Sequence, residues 1–140
     1  MPFKIGGPVT TVLYKNWIQK FLNYVLINNL RVDFLSWHHY SKKTDDYIDD
    51  VIKLNSWLAE DSKYQKFRNL PRVISEWGYD SEKNPIADTE VGVAYTLASI
   101  RNFINANIGA AFLFEIKDGP SGSSWGILDY SGNKKPQWHA

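Results

Sequence analysis

Three short apolar runs end on chemically distinctive residues at a fixed interval, and no other feature limits the fold as strongly. Val32 to Trp37 runs into His38, Val73-Ile74-Ser75 ends on Glu76, and Ala110 to Leu113 ends on Phe114. The end residues lie 38 positions apart, room for one strand, one helix and two loops. Strands alternating with helices form βαβ units with right-handed crossovers and a parallel sheet. Similar residues at similar depth in successive units suit a (β/α) barrel, whose active sites gather at the C-terminal rim of the strands. An open α/β sheet uses the same alternation and stays as the second architecture.

The segments between the runs read as helices. From Thr11 the apolar positions Val12, Leu13, Trp17, Phe21, Leu22 and Val25 recur at helical spacing, and Asn28-Asn29 ends the pattern. Thr44 is the expected N-cap of a second helix, with Asp45 and Asp46 in its first turn and Ile48, Val51, Ile52 and Leu58 facing inward. Asp61 to Leu70 reads as the frayed end of that helix and a loop, stopped by Pro71 before a strand Arg72–Glu76. Asp88 or Thr89 caps a third helix that turns Val91, Tyr95, Ala98 and Ile104 inward and ends near Asn107. The stretch from Asp118 onward is rich in Gly, Ser and Pro, with Trp125-Gly126-Ile127-Leu128 as its apolar anchor. At the other end, Lys4-Ile5-Gly6-Gly7-Pro8 reads as the close of a short strand breaking into a turn. Together these elements make one domain over residues 1–140.

Composition narrows the function classes. The net charge of +1 gives no nucleic-acid footprint, and no apolar run approaches the roughly 20 residues that span a membrane. There is no Cys, so disulfides and thiolate metal sites are excluded. Gly6-Gly7-Pro8 lacks the spaced glycines of a phosphate-binding turn, and no cofactor is implied. Aromatic residues reach 15%, with six Trp and eight Tyr, and such rings stack on flat apolar faces, those of sugars included. Compartment stays open.

Glu76 is the most informative position. A buried strand rarely ends on an acid, because an unpaired charge is costly to take out of water. Such an acid belongs at a sheet rim, in a cleft, unless it pairs with a cation such as Arg72 or Arg101. His38-His39 with Glu76 also raises a metal site, but the spacing matches no usual zinc pattern.

Taken in order, the segments resemble the second half of a clan A glycoside hydrolase, most closely family 39, the β-xylosidase-like enzymes. Lys4 to Pro8 is similar to the end of the fifth barrel strand, and Val32-Asp33-Phe34-Leu35-Ser36-Trp37-His38-His39-Tyr40 to the sixth. Ile74-Ser75-Glu76-Trp77-Gly78 resembles the seventh, and Phe112 to Gly119 the eighth. Trp125 to Leu128 followed by Lys135-Pro136-Gln137-Trp138 resembles the closing segment. The resemblance implies an α/β fold, half of a (β/α)8 TIM barrel built from four parallel βα units. It also implies a retaining hydrolase of O-glycosidic bonds, with carbohydrate as substrate.

In that setting Glu76 would be the catalytic nucleophile, forming a covalent glycosyl-enzyme. Tyr40 would hydrogen-bond Glu76 and His38 would meet a sugar hydroxyl. Trp77, Phe114 and Trp125 complete the expected substrate-binding set, with Phe114 standing where the family commonly has a tryptophan under the sugar. Asp33 is expected to be structural, and Glu115 to face away from the barrel axis. One part is missing. A retaining glycosidase needs two carboxyl groups about 5–5.5 Å apart, and the clan's acid/base is a glutamate after an asparagine on the fourth strand. No Asn-Glu pair occurs in these residues. A full barrel takes about 250 residues, so the implied partner is an N-terminal half-barrel or a second copy of this chain. A half-barrel that oligomerises and binds carbohydrate without cleaving it is the alternative.

Overall fold

The computed structural model describes residues 3–140. Its core is a four-stranded sheet of β1 (Gly6–Thr10), β2 (Phe34–Tyr40), β3 (Arg72–Gly78) and β4 (Ile108–Leu113), in the spatial order β1-β2-β3-β4 with every pair parallel. The helices α1 (Lys15–Ile27), α2 (Asp46–Ala59) and α3 (Glu90–Asn105) are the crossovers. A doubly wound sheet reverses its strand order at a switch point. This sheet never does, so each unit advances in the same direction, as in a (β/α) barrel, and the fold is four parallel strands joined by three crossover helices, part of that architecture.

All three helices pack on one face. A single cluster joins Ile18, Leu22 and Val25 of α1, Leu35 and Trp37 of β2, Tyr47, Leu54 and Leu58 of α2, Ile74 and Trp77 of β3, and Tyr95 and Phe103 of α3. The opposite face, carrying His38, Tyr40 and Phe112, has no covering layer within the described residues, and Phe112 is 60% exposed.

The helix faces differ in detail from the sequence reading. In α1 the buried row is Ile18, Leu22 and Val25, and Trp17 lies outward. In α2 the inward residues are Tyr47, Asp50, Val51, Leu54 and Leu58, while Ile52 is exposed. The N-cap is Asp45 rather than Thr44. In α3 the expected Thr89 cap is present, its side chain accepting from the Val91 amide. However, the buried row is Gly92, Tyr95, Ser99, Asn102 and Phe103, and Val91 and Ile104 are exposed. Tyr95 faces inward as expected, its hydroxyl donating to the Gly78 carbonyl (2.7 Å) and lying 2.5 Å from the Tyr47 hydroxyl. Ile104, further along α3, falls on the opposite side of the helix, and Val91 sits in the exposed first turn. The region after α2 is a separate 3-10 turn, Ser62–Phe67, capped by Asp61 and holding Tyr64 and Phe67 in the core. Gly6-Gly7-Pro8 lies inside β1 rather than at its end, a position proline tolerates on an edge strand. Asp33 is structural as expected, accepting from the Ile5 amide and Arg31 Nε.

One buried node fastens β2 to α2. Asp50 Oδ2 accepts from Trp37 Nε1 at 2.8 Å and meets His39 Nδ1 at 2.6 Å. An ionised carboxylate can only accept, so His39 carries its proton on Nδ1 there. Replacing Asp50 with Ala strands two buried donors. The expected loss is about 2–4 kcal/mol, read as a lower urea midpoint with unchanged slope.

Candidate active site

The site is set by a register shift. Trp37 pairs with Ile74, but the next β2 residue, His38, pairs with Glu76, so Ser75 is an extra residue in β3. Regular alternation would put Glu76 on the same face as Ile74, which is fully buried. The bulge breaks that parity and brings Glu76 opposite His38 on the open face. Ser75 Oγ donates to the Trp37 carbonyl at 3.1 Å and holds the irregularity in place. Bulges that re-aim a side chain are frequent beside active sites.

Glu76 then gathers two partners on one oxygen. Tyr40 donates its hydroxyl to Oε2 at 2.9 Å, and His38 Nδ1 lies 2.9 Å from the same atom. Oε1 carries neither bond. The carboxylate keeps 36% side-chain exposure and His38 keeps 18%, so the group is anchored yet reachable. Burial, then the neighbouring Glu76 carboxylate, pushes the Tyr40 phenol well above its ordinary range, so it stays a donor through any physiological pH. Tyr40 pairs across the ladder with Gly78 and reaches back to Glu76 diagonally. A Cβ on Gly78 would stand 3.0 Å from the Tyr40 ring, so a side chain there would press the ring out by a few tenths of an ångström.

The other expected residues divide. Phe114 follows β4, its amide bonded to the Trp77 carbonyl at 3.0 Å, and meets Trp125 edge to face with ring centres 5.7 Å apart. These two rings form a wall after β4. Trp77 does not join them. It is 4% exposed on the helix side, against Phe103 at 5.0 Å and Tyr95 at 6.2 Å, because the strand returns to regular alternation after the bulge. The placement of Trp77 with the sugar-binding aromatics is therefore corrected: the ring is core. Arg72 is no partner for Glu76, since its guanidinium donates to the Arg68 and Leu70 carbonyls and to Asn55 Oδ1 at the strand's opposite end. His38 and His39 point to different faces, toward Glu76 and Asp50, so they do not form one ligand set with Glu76. Glu115 Oε1 accepts from Ser123 Oγ at 2.9 Å.

The sequence reading missed the rim network. Asp80 collects Lys42 Nζ (2.9 Å), Asn84 Nδ2 (2.9 Å) and the Glu82 amide (3.1 Å) on its carboxylate, while its carbonyl accepts from Trp125 Nε1 (3.0 Å). One residue thus ties together the loops after β2, β3 and β4. No motif marks it. An Asp two residues after a strand-ending glycine is the one sequence signal, and it fits any Asx turn equally well.

The comparisons with known proteins follow this geometry. The pattern of glycosyl hydrolases family 39 matches residues 2–137. The chain belongs to that family. It is 26% identical to a beta-xylosidase of Geobacillus stearothermophilus over 98% of its length, which is 32% of that enzyme. A family 39 beta-xylosidase structure from Caulobacter crescentus superposes with a TM-score of 0.75 at 22% identity, covering 97% of this chain and 31% of that one. A glucosidase structure from Croceicoccus marinus gives a TM-score of 0.75 at 21% identity, with 96% and 30% covered. This family 39 chain therefore spans about a third of the length of the relatives it matches.

Two measurements follow. Asn84, then Lys42, hold the Asp80 carboxyl down at about 2 from an ordinary 3.8. A carboxyl more acidic when folded contributes stability that is complete above its unfolded value and lost as pH falls toward the folded one. The Asp80 carboxyl carbon should therefore titrate by NMR with a midpoint near 2, and Asp80→Asn should flatten the acid dependence of stability between about pH 4 and 2. At the site itself, Gly78→Ala should displace the Tyr40 ring, and the Tyr40 hydroxyl proton should lose its bonded chemical shift in the variant's spectrum.

Proposed function

We propose that this chain is the nucleophile-bearing half of a retaining β-glycosidase, with Glu76 attacking the anomeric carbon. The observation that carries the reading is the Tyr40–Glu76–His38 arrangement on the open, C-terminal end of a parallel (β/α) sheet. The Tyr40 hydroxyl holds Oε2, with His38 Nδ1 close to the same atom, which leaves Oε1 as the attacking atom. The bond formed is Oε1–C1 and the bond broken is C1 to the leaving oxygen, which takes its proton from a second carboxyl group. Tyr40 orients Glu76 and also tempers its charge until attack. His38 is placed to meet a sugar hydroxyl, and Phe114 with Trp125 supplies an aromatic wall. Residues 1–140 make one (β/α)4 unit in this reading, and the acid/base comes from the strands that complete the barrel, in an N-terminal half or a second copy. Relatives named beta-xylosidase and glucosidase favour a β-xyloside or β-glucoside as substrate.

A second reading has its own support. The two rings after β4 and the uncovered sheet face would serve a carbohydrate-binding, self-associating module equally well. Aryl β-xylosides and β-glucosides assayed with the chain joined to a family 39 N-terminal half separate the two. Glu76→Gln should lower turnover at least a thousandfold, about 4 kcal/mol of barrier, while leaving sugar binding. Equal turnover with and without Glu76 would remove it from the chemistry. Binding without turnover in the completed barrel would favour the module.

A further inference from the structure

We infer that Asp118 is a positioning residue for Trp125, acting through a buried clasp that fixes the loop carrying the indole beside Phe114. The inference rests on the reading of Trp125 as part of a sugar-binding wall. The stretch Gly119-Pro120-Ser121-Gly122-Ser123-Ser124 has no large apolar side chain. Gly/Ser-rich segments are flexible by composition, so order here must come from specific bonds.

Asp118 supplies them. Its carboxylate, in a residue only 5% exposed, accepts from the Gly126 amide at 2.7 Å and lies 2.8 Å from Ser123 Oγ, pinning the loop at the residue next to Trp125. Lys135 Nζ meets the other carboxylate oxygen and also Asp88 Oδ1 (2.7 Å), just before α3. The buried charge is thus balanced, and the loop is tethered through Lys135 to the short 3-10 turn Pro85–Asp88 that precedes α3. Backbone contacts finish the frame: the Glu115 amide donates to the Trp125 carbonyl (3.0 Å) and the Asp118 amide to the Leu128 carbonyl (3.0 Å). Gly126 is required by this close approach, since a Cβ there would stand 2.5 Å from the Asp118 nitrogen and 2.6 Å from the Leu128 oxygen. With the loop so held, Trp125 can reach both the Asp80 carbonyl and the Phe114 ring. Neither of those contacts fixes the backbone that carries the indole.

The test uses the full chain labelled with 5-fluorotryptophan. It holds six Trp, and Trp125→Phe assigns the relevant fluorine signal. In Asp118→Asn the Trp125 signal should move toward that of free 5-fluorotryptophan, while those of the core residues Trp37 and Trp77 stay. An unmoved Trp125 signal in the folded variant would overturn the inference. If Asp118→Asn collapses all six signals, Ser123→Ala decides: it keeps the charge pair, and a smaller Trp125 shift is expected, with no shift overturning the inference. Xylobiose is then titrated against both forms, with about a tenfold weaker affinity expected for the variant, near 1.4 kcal/mol. Wild-type affinity with a displaced Trp125 signal would end the role in binding. A wild-type Trp125 signal blind to xylobiose, with the Asp118→Asn shift intact, would instead sink the sugar-binding reading and leave the clasp standing.

Discussion

The whole arrangement depends on one residue too many in β3. Ile74 and Trp77 both belong to the core, yet three positions separate them, and a regular strand cannot put both on one face. The mismatch is absorbed at Ser75, and its consequence is that Glu76 faces away from the helices. Without the bulge the carboxylate would enter an aromatic core, where a buried unpaired charge costs several kcal/mol. Against that, the bulge gives up about one ladder hydrogen bond, worth about 1 kcal/mol, and the Ser75 hydroxyl restores one to the Trp37 carbonyl. The site is therefore the low-energy solution for this string of residues.

The precision of the site comes from the other face. His38 and Tyr40 alternate along β2 with Trp37 and His39, which share the Asp50 oxygen on α2. Across the sheet, the Gly78 carbonyl is taken by Tyr95 of α3. Each strand carrying a functional side chain is thus locked from behind by a polar bond inside an apolar cluster. Burial raises the Tyr95 phenol to about 12, so it remains a donor. Rigid elements position a site more closely than loops do, and here only the aromatic wall depends on a loop.

How far the sequence foretold this follows from the same physics. The four parallel units were legible because apolar runs and a repeated spacing are local signals. Tyr40 beside Glu76 was legible through the family resemblance, residue by residue, and the structure does bring those two and His38 together. Trp77 was misplaced although alternation from Glu76 already turns its neighbour to the helix side; what alternation cannot see is the bulge at Ser75, which takes Glu76 off the face of Ile74. In α3 Tyr95 was read inward correctly, but apolar periodicity favours Val91 and Ile104 and passes over the buried Ser99 and Asn102, the latter held by its amide's bond to Asp45 Oδ1. Asp118, Lys135 and Asp88 are scattered over nearly fifty residues, and only folding shows that they meet.

The face that bears Glu76 is built to be covered. Parallel sheets are found with both faces buried, and this one leaves Phe112 largely exposed with β1 and β4 as edges. A helix laid across the sheet would leave both strand edges open. Further parallel strands joined at β1 and β4 satisfy the edges and the interior together, with side chains filling the space in layers as a closed barrel requires. Such a cover meets the sheet along its length but stops at the strand ends, where Glu76, Tyr40 and His38 stand. A cover of that kind would leave the Glu76 carboxylate exposed at the C-terminal end of the sheet, where Tyr40 and His38 hold it.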